Sequence, residues 1–140
     1  GWEHVVPQFI LRAYDQKLKQ PEGPLTFPIQ GQGSETRAFV GIEDFTDGLM
    51  TIINKGEHQE VYHVGTEEEI AIADVARKIV TALGREIDIK PGPLTPGSTT
   101  RRCPDISKLR KLGYDPKFTF DEAVSPTIDW YTKHADQRPN

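Results

Sequence analysis

The sequence predicts a small mixed α/β domain, on three observations. Apolar residues recur at helical spacing in residues 4–20 and 72–83. Short segments at Thr26–Gln30, Arg37–Val40, Val61–Val64 and Ile87–Lys90 read as strands. Clusters of proline and glycine punctuate the boundaries between these segments. At 140 residues the chain fits one domain, 1–140, with no internal repeat and no linker that would divide it.

Taken in order, Val5, Val6, Phe9, Ile10, Ala13 and Tyr14 mark an amphipathic helix over residues 4–20. Pro7 is tolerable in its first turn, where the missing N–H has no intrahelical partner to lose, and Pro21-Glu22-Gly23-Pro24 ends it. The strands Thr26–Gln30 and Arg37–Val40 flank Gly31-Gln32-Gly33-Ser34, which reads as a tight hairpin turn. Glu43 and Asp44 suit the positive end of a helix dipole, and that helix carries Phe45, Leu49, Ile52 and Ile53 on one face before Gly56 closes it. Val61–Val64 follows as a short strand. Ile72, Val75, Ala76, Ile79, Val80 and Leu83 form the cleanest helical stripe, ended by Gly84. Ile87–Lys90 alternates like a strand, and Pro91–Ser98 reads as loop. Asp105 caps a short helix to about Leu112, Thr119 or Asp121 opens the last helix to about His134, and the tail Asp136–Asn140 is expected to fray.

Composition narrows the function classes. The net charge of −4, with acids and bases interspersed, leaves no basic footprint for nonspecific binding to nucleic acid or to an anionic membrane. No apolar run is long enough to span a bilayer. The single cysteine, Cys103, excludes an internal disulfide framework and fits a reducing compartment, so a cytoplasmic location is expected. Trp2-Glu3-His4 runs straight into the amphipathic pattern without a signal peptide. The start lacks an initiator methionine, which suggests the middle of a longer polypeptide, a processed or recombinant start being the alternative.

Candidate chemistry is sparse. Gly31-Gln32-Gly33 leads into a strand, whereas a dinucleotide fingerprint needs a third glycine opening a helix. The four histidines and Cys103 do not fall at zinc-ligand spacing, and no nucleophile–base–orienter trio stands out. Two arginines do stand out: Arg37 after the glycine turn, and Arg102 after the proline- and glycine-rich loop. Loops of that kind present binding groups, and a guanidinium grips phosphate oxygens bidentately. Taken singly, each arginine is more simply explained by pairing with a surface acid.

Six segments in order resemble the extended short-chain dehydrogenase/reductase family, in its NAD-dependent nucleotide-sugar epimerases, dehydratases and decarboxylases. They are His4–Ile10, Ile29–Val40, Glu43–Leu49, Val61–Gly65, Arg102–Lys108 and Leu112–Lys117. The resemblance covers residues 4 to about 132 and matches the carboxy-terminal half of those enzymes. It implies a small mixed α/β substrate-binding lobe without its Rossmann domain, holding the diphosphate of a nucleotide-linked hexose. On that resemblance Pro7 and the strand residues Pro28, Ile29 and Gln30 lie against the nucleotide base and ribose, and Arg37 and Arg102 hold the diphosphate. His63 stands where the family often has asparagine, and from there could donate to a phosphate; a purely structural role for it remains open. The family's NAD-binding glycine turn and its Tyr-Xaa-Xaa-Xaa-Lys pair belong to the amino-terminal half. Tyr14 and Lys17 are only three apart, as are Tyr114 and Lys117.

The resemblance therefore implies no catalytic residues here, NAD (or NADP) bound by a missing amino-terminal half, a homodimer when complete, and an inactive isolated chain. The competing reading is a stand-alone nucleotide-sugar-binding or regulatory module. Neither the base, nor the sugar, nor the choice among epimerisation, dehydration and decarboxylation is legible in the side chains.

Overall fold

The computed structural model describes residues 1–94 and 96–139. Thr95, within the expected loop, and Asn140, within the expected tail, lie outside the described residues. Helix α1 (Val5–Lys19) buries Phe9, Ile10 and Ala13 of the stripe its spacing predicts, together with Leu11, and leaves Val5, Val6 and Tyr14 half-buried. Strand β1 (Leu25–Ile29) alternates as a half-buried strand should: Leu25, Phe27 and Ile29 face inward, Thr26 and Pro28 outward. It pairs in parallel with β4 (Ile87–Pro91), Leu25 opposite Ile87 and Ile29 opposite Pro91. Both strands carry a proline, which a two-stranded sheet tolerates because each strand has an open edge. Pro91 thus belongs to β4 rather than to the loop after it.

The expected hairpin does not form. Strand β2 (Thr36–Ala38) pairs antiparallel with β3 (Glu69–Ala71) and parallel with β5 (Arg101–Arg102), never with β1. The glycine turn supplies the reason. Gly31 and Gly33 both have positive φ, 63° and 77°, and a side chain at Gly33 would strike Ile29 and Ala73. The Gly33 carbonyl accepts from Ala73 N at 2.9 Å, and the Glu35 carbonyl from Ile72 N at 3.0 Å. The turn is therefore seated on the start of helix α3 (Ile72–Ala82), and the chain leaves it into a second sheet. Strands β3 and β5, three and two residues long, are too short to show periodicity and were not expected.

Helices α1, α3 and α5 (Phe120–Lys133) close over β1 and β4 around one core. Phe9 meets Phe27 edge-on at 5.1 Å, and Leu25, Val75, Ala76, Ile79 and Val80 are fully buried. Thr119 opens α5 through a reciprocal capping box with Glu122, which settles the choice between Thr119 and Asp121.

The other side of the molecule differs from expectation. Helix α2 (Ile42–Lys55) forms as predicted, but its apolar face does not enter the core: Phe45, Leu49 and Ile53 are 41%, 44% and 66% exposed. What α2 buries is Asp44, whose carboxylate accepts from Lys117 N and Phe118 N, and Gly48, which lets Val64 and Tyr114 approach. Ile52, Tyr62, Val64 and Leu112 pack on a small cluster of Ile106, Leu109 and Tyr114. Residues 61–64 belong to no strand, contrary to their pattern, because no strand among the described residues pairs with them. Helix α4 (Ser107–Arg110) is a single turn, and Asp105 accepts from Ser107 N at 2.9 Å just ahead of it. The tail does not simply fray: Ala135–Gln137 forms one 3-10 turn and Arg138 pairs with Asp15 at 2.6 Å.

Candidate functional site

Arg37 and Arg102 are partners in the parallel ladder between β2 and β5. Paired positions project from the same face of a sheet, so two residues 65 apart in sequence stand side by side. Between them lies Thr99. Arg37 donates Nη2 to the Thr99 carbonyl at 2.8 Å and Nη1 to the Thr36 carbonyl at 2.7 Å. Arg102 donates Nε to Thr99 Oγ1 at 2.8 Å. Among the described residues neither arginine pairs with a carboxylate. Pairing with a surface acid, the simpler reading of each arginine alone, is thus not what the structure has. Arg101 provides the contrast: its guanidinium lies fork-on against Glu69, which also accepts from Thr36 Oγ1.

Arg102 opens onto a cleft of about 520 Å³ lined also by Ala38, Tyr62, His63, Val64, Cys103 and Pro104. The structure therefore brings His63 and Arg102 together on one cleft, whereas Arg37, the ladder partner of Arg102 on β2, does not line it. The remaining candidates sit elsewhere. Pro7 is buried in α1, and Ile29 is 5% exposed with its side chain in the main core. Pro28 and Gln30 are exposed at the end of β1, where the Pro28 carbonyl accepts from Arg12. None of the four lines this cleft.

Two ionisable groups at or next to the cleft are shifted from their ordinary range. The Ser107 hydroxyl and backbone N–H hold the Asp105 carboxyl below its ordinary range, with smaller help from His63 and Lys111. Burial, then Glu69, pushes the Cys103 thiol up, so it stays protonated and weakly nucleophilic. Lys108 lies over the Tyr62 ring at 4.7 Å and pairs with Glu60, which fixes the wall carrying His63. Among the described residues no group of His, Cys, Asp and Glu is placed to hold a metal, and no helix is long and apolar enough to cross a membrane.

Two features escaped sequence reasoning. Thr99 is one of several threonines in a loop and carries no motif. Glu35 is 8% exposed with Oε2 lacking a hydrogen-bond partner among the described residues, and its other oxygen lies where a side chain at Gly31 would fall. A buried carboxylate of that kind leaves no periodic trace. A second groove of about 470 Å³ lies along α1 between Trp2 and Arg138. Three of its charged side chains are already engaged, Arg138 with Asp15 and Arg12 with the Pro28 carbonyl.

Comparisons with known proteins bear on the family and the fold. The sequence profile of the GDP-mannose 4,6 dehydratase family matches residues 2–127. A trifunctional UDP-glucose 4,6-dehydratase/UDP-4-keto-6-deoxy-D-glucose 3,5-epimerase/UDP-4-keto-L-rhamnose-reductase of Arabidopsis thaliana is 35% identical over 96% of this chain and 19% of its own length. Among solved structures, the Bordetella bronchiseptica enzyme WbmF in complex with NADH matches with a TM-score of 0.78 and 28% identity, over 97% of this chain and 38% of WbmF. WbmF is also solved with NAD+ and UDP. The Streptomyces venezuelae dTDP-glucose 4,6-dehydratase DesIV, with NAD and TYD bound, matches with a TM-score of 0.77 and 25% identity, over 97% of this chain and 40% of DesIV. The chain thus spans between a fifth and two fifths of the length of these relatives, and it matches their carboxy-terminal portion. With a family profile running through nine tenths of its length, the chain belongs to the GDP-mannose 4,6 dehydratase family.

Proposed function

We propose that this chain is the nucleotide-sugar-binding lobe of a cytoplasmic nucleotide-sugar dehydratase or epimerase, in which Arg37 and Arg102 together hold the substrate's diphosphate. The observation that carries the reading is their pairing across β2 and β5, with no carboxylate among the described residues neutralising either one. Two adjacent guanidiniums match the charge and fork geometry of a diphosphate. The cleft beside Arg102 has room for part of a nucleotide sugar, with His63 on its wall as a further donor. UDP in the WbmF complex and the UDP-glucose named for the Arabidopsis relative support a nucleotide-diphosphate ligand.

The residues present do not fit NAD. The Gly31–Gly33 turn leads into β2 rather than a helix, and the space at Gly33 is filled by Ile29 and Ala73, so no pyrophosphate can approach it. We assign the dinucleotide, and the groups that move protons and hydride, to an amino-terminal Rossmann half that would complete a homodimeric enzyme. The bare apolar face of α2 and the unpaired segment 61–64 support such a partner, because both are patterned for contacts that the described residues do not supply. By itself the chain binds and does not turn over.

Titration of the 140-residue chain with UDP and with uridine tests the reading. Each charge-assisted contact is worth about 1.5–3 kcal/mol, so Arg37→Ala and Arg102→Ala should each weaken UDP roughly ten- to a hundredfold and leave uridine unchanged. Arg→Lys at either position should rescue only in part. Unaltered UDP affinity in both alanine variants would sink the assignment.

A further inference from the structure

Resting on that reading, we propose that Thr99 is the positioning residue of the diphosphate site, holding the Arg37 and Arg102 guanidiniums at a fixed separation before any ligand arrives. The two arginines share a face but come from different strands, and each long side chain has rotamer freedom that binding would have to remove. Thr99 supplies an acceptor to each from one residue: its carbonyl takes Arg37 Nη2 at 2.8 Å and its hydroxyl takes Arg102 Nε at 2.8 Å. One backbone unit therefore sets the relation between both head groups.

The contacts leave the binding edges open. Among the described residues Arg102 spends Nε alone on protein, which leaves both its Nη groups for phosphate oxygens. Arg37 spends one hydrogen of Nη2 on Thr99 and one of Nη1 on the Thr36 carbonyl, which braces the guanidinium from two sides and, among the described residues, leaves its Nε and two N–H donors unused. Thr99 is itself anchored through its neighbour, since the Thr100 carbonyl accepts from Thr36 N at 2.9 Å next to the ladder. The loop is thus joined to the same strand that carries Arg37. A ligand meeting arginines already ordered in this way loses less freedom on binding.

The test is Thr99→Val, which keeps shape and backbone carbonyl and deletes the hydroxyl, read beside Thr99→Ser, which restores it. Binding of UDP and of inorganic pyrophosphate to the 140-residue chain is measured by calorimetry, with thermal unfolding as the control. Thr99→Val should weaken both ligands about three- to tenfold, the size of one lost hydrogen bond, at unchanged Tm and unchanged uridine affinity. Thr99→Ser should bind as the parent does. In an Arg102→Ala background Thr99→Val should add nothing, because the hydroxyl acts through Arg102. Tighter UDP binding by Thr99→Val would overturn the proposal, since it would mean that the hydroxyl competes with phosphate for Arg102. So would equal loss in the Arg102→Ala background. If Arg102→Ala itself leaves UDP affinity unaltered, the diphosphate reading fails first, and the two failures are told apart.

Discussion

Around β1 and β4, three helices bring their apolar stripes onto one core, and Leu25, Phe27, Val75 and Ile79 are sealed from water. Around α2, a stripe of the same periodicity meets solvent: Ile42, Phe45, Leu49, Met50 and Ile53 are all exposed. The two regions use the same residue types and the same spacing. What differs is whether a second layer lies within reach, and amphipathicity alone cannot say which layer a helix will find. The first region seals an apolar core, whereas the second leaves its apolar stripe exposed.

The largest expected effect lies in the sealed region. Phe27→Ala removes a fully buried ring at the centre of β1, in edge contact with Phe9, and should cost about 3–5 kcal/mol in denaturant unfolding. A loss under about 1 kcal/mol would mean that the core around β1 and β4 is not where the chain is held together.

An intermediate effect is expected at the seam between α2 and α4. Tyr114 is 1% exposed and donates its hydroxyl to the Gly65 carbonyl at 2.8 Å. Tyr114→Phe leaves that carbonyl unpaired and should cost about 1–3 kcal/mol. The same residue gives the seam a pH signature. Burial, reinforced by Asp44 and Asp47, pushes the phenol up to about 12 from its ordinary 10. Between those values the unfolded chain has released a proton that the folded chain keeps, so stability falls as pH rises from 10 through 12. Thermal melts of the parent should decline across that window, and Tyr114→Phe should flatten this component of the decline. Identical pH profiles for parent and variant would place Tyr114 in water.

The smallest effect belongs to the bare face. Leu49→Ser or Ile53→Ser should change the stability of this chain by no more than about 0.5 kcal/mol and reduce its self-association. A penalty comparable to that of Phe27→Ala would erase the distinction between the two regions.

Much of the fold was legible from periodicity. The centres of the α1 and α3 stripes lie in the core and their ends are half-buried, while the sequence narrows the start of α5 to Thr119 or Asp121 and the capping box decides it. The failures were of pairing. Gly31-Gln32-Gly33 reads as a hairpin because sequence shows a turn but not what it rests on; here it rests on Ala73, and β2 leaves for another sheet. Val61–Val64 has a strand's pattern without a strand's partner. The two arginines were legible as candidates, but their adjacency was not, because it depends on β5, a two-residue strand that no period can announce. Thr99, which touches both, carries no signal at all in one sequence.

The most direct measurement is a crystal structure of the chain soaked with UDP. The account predicts a diphosphate spanning the Arg37 and Arg102 guanidiniums, each within hydrogen-bond distance of its oxygens, with Thr99 still contacting both arginines and the nucleoside extending from the cleft edged by His63 and Pro104. A diphosphate seated in the groove along α1 beside Arg12 and Arg138, with Arg37 and Arg102 untouched, would contradict it.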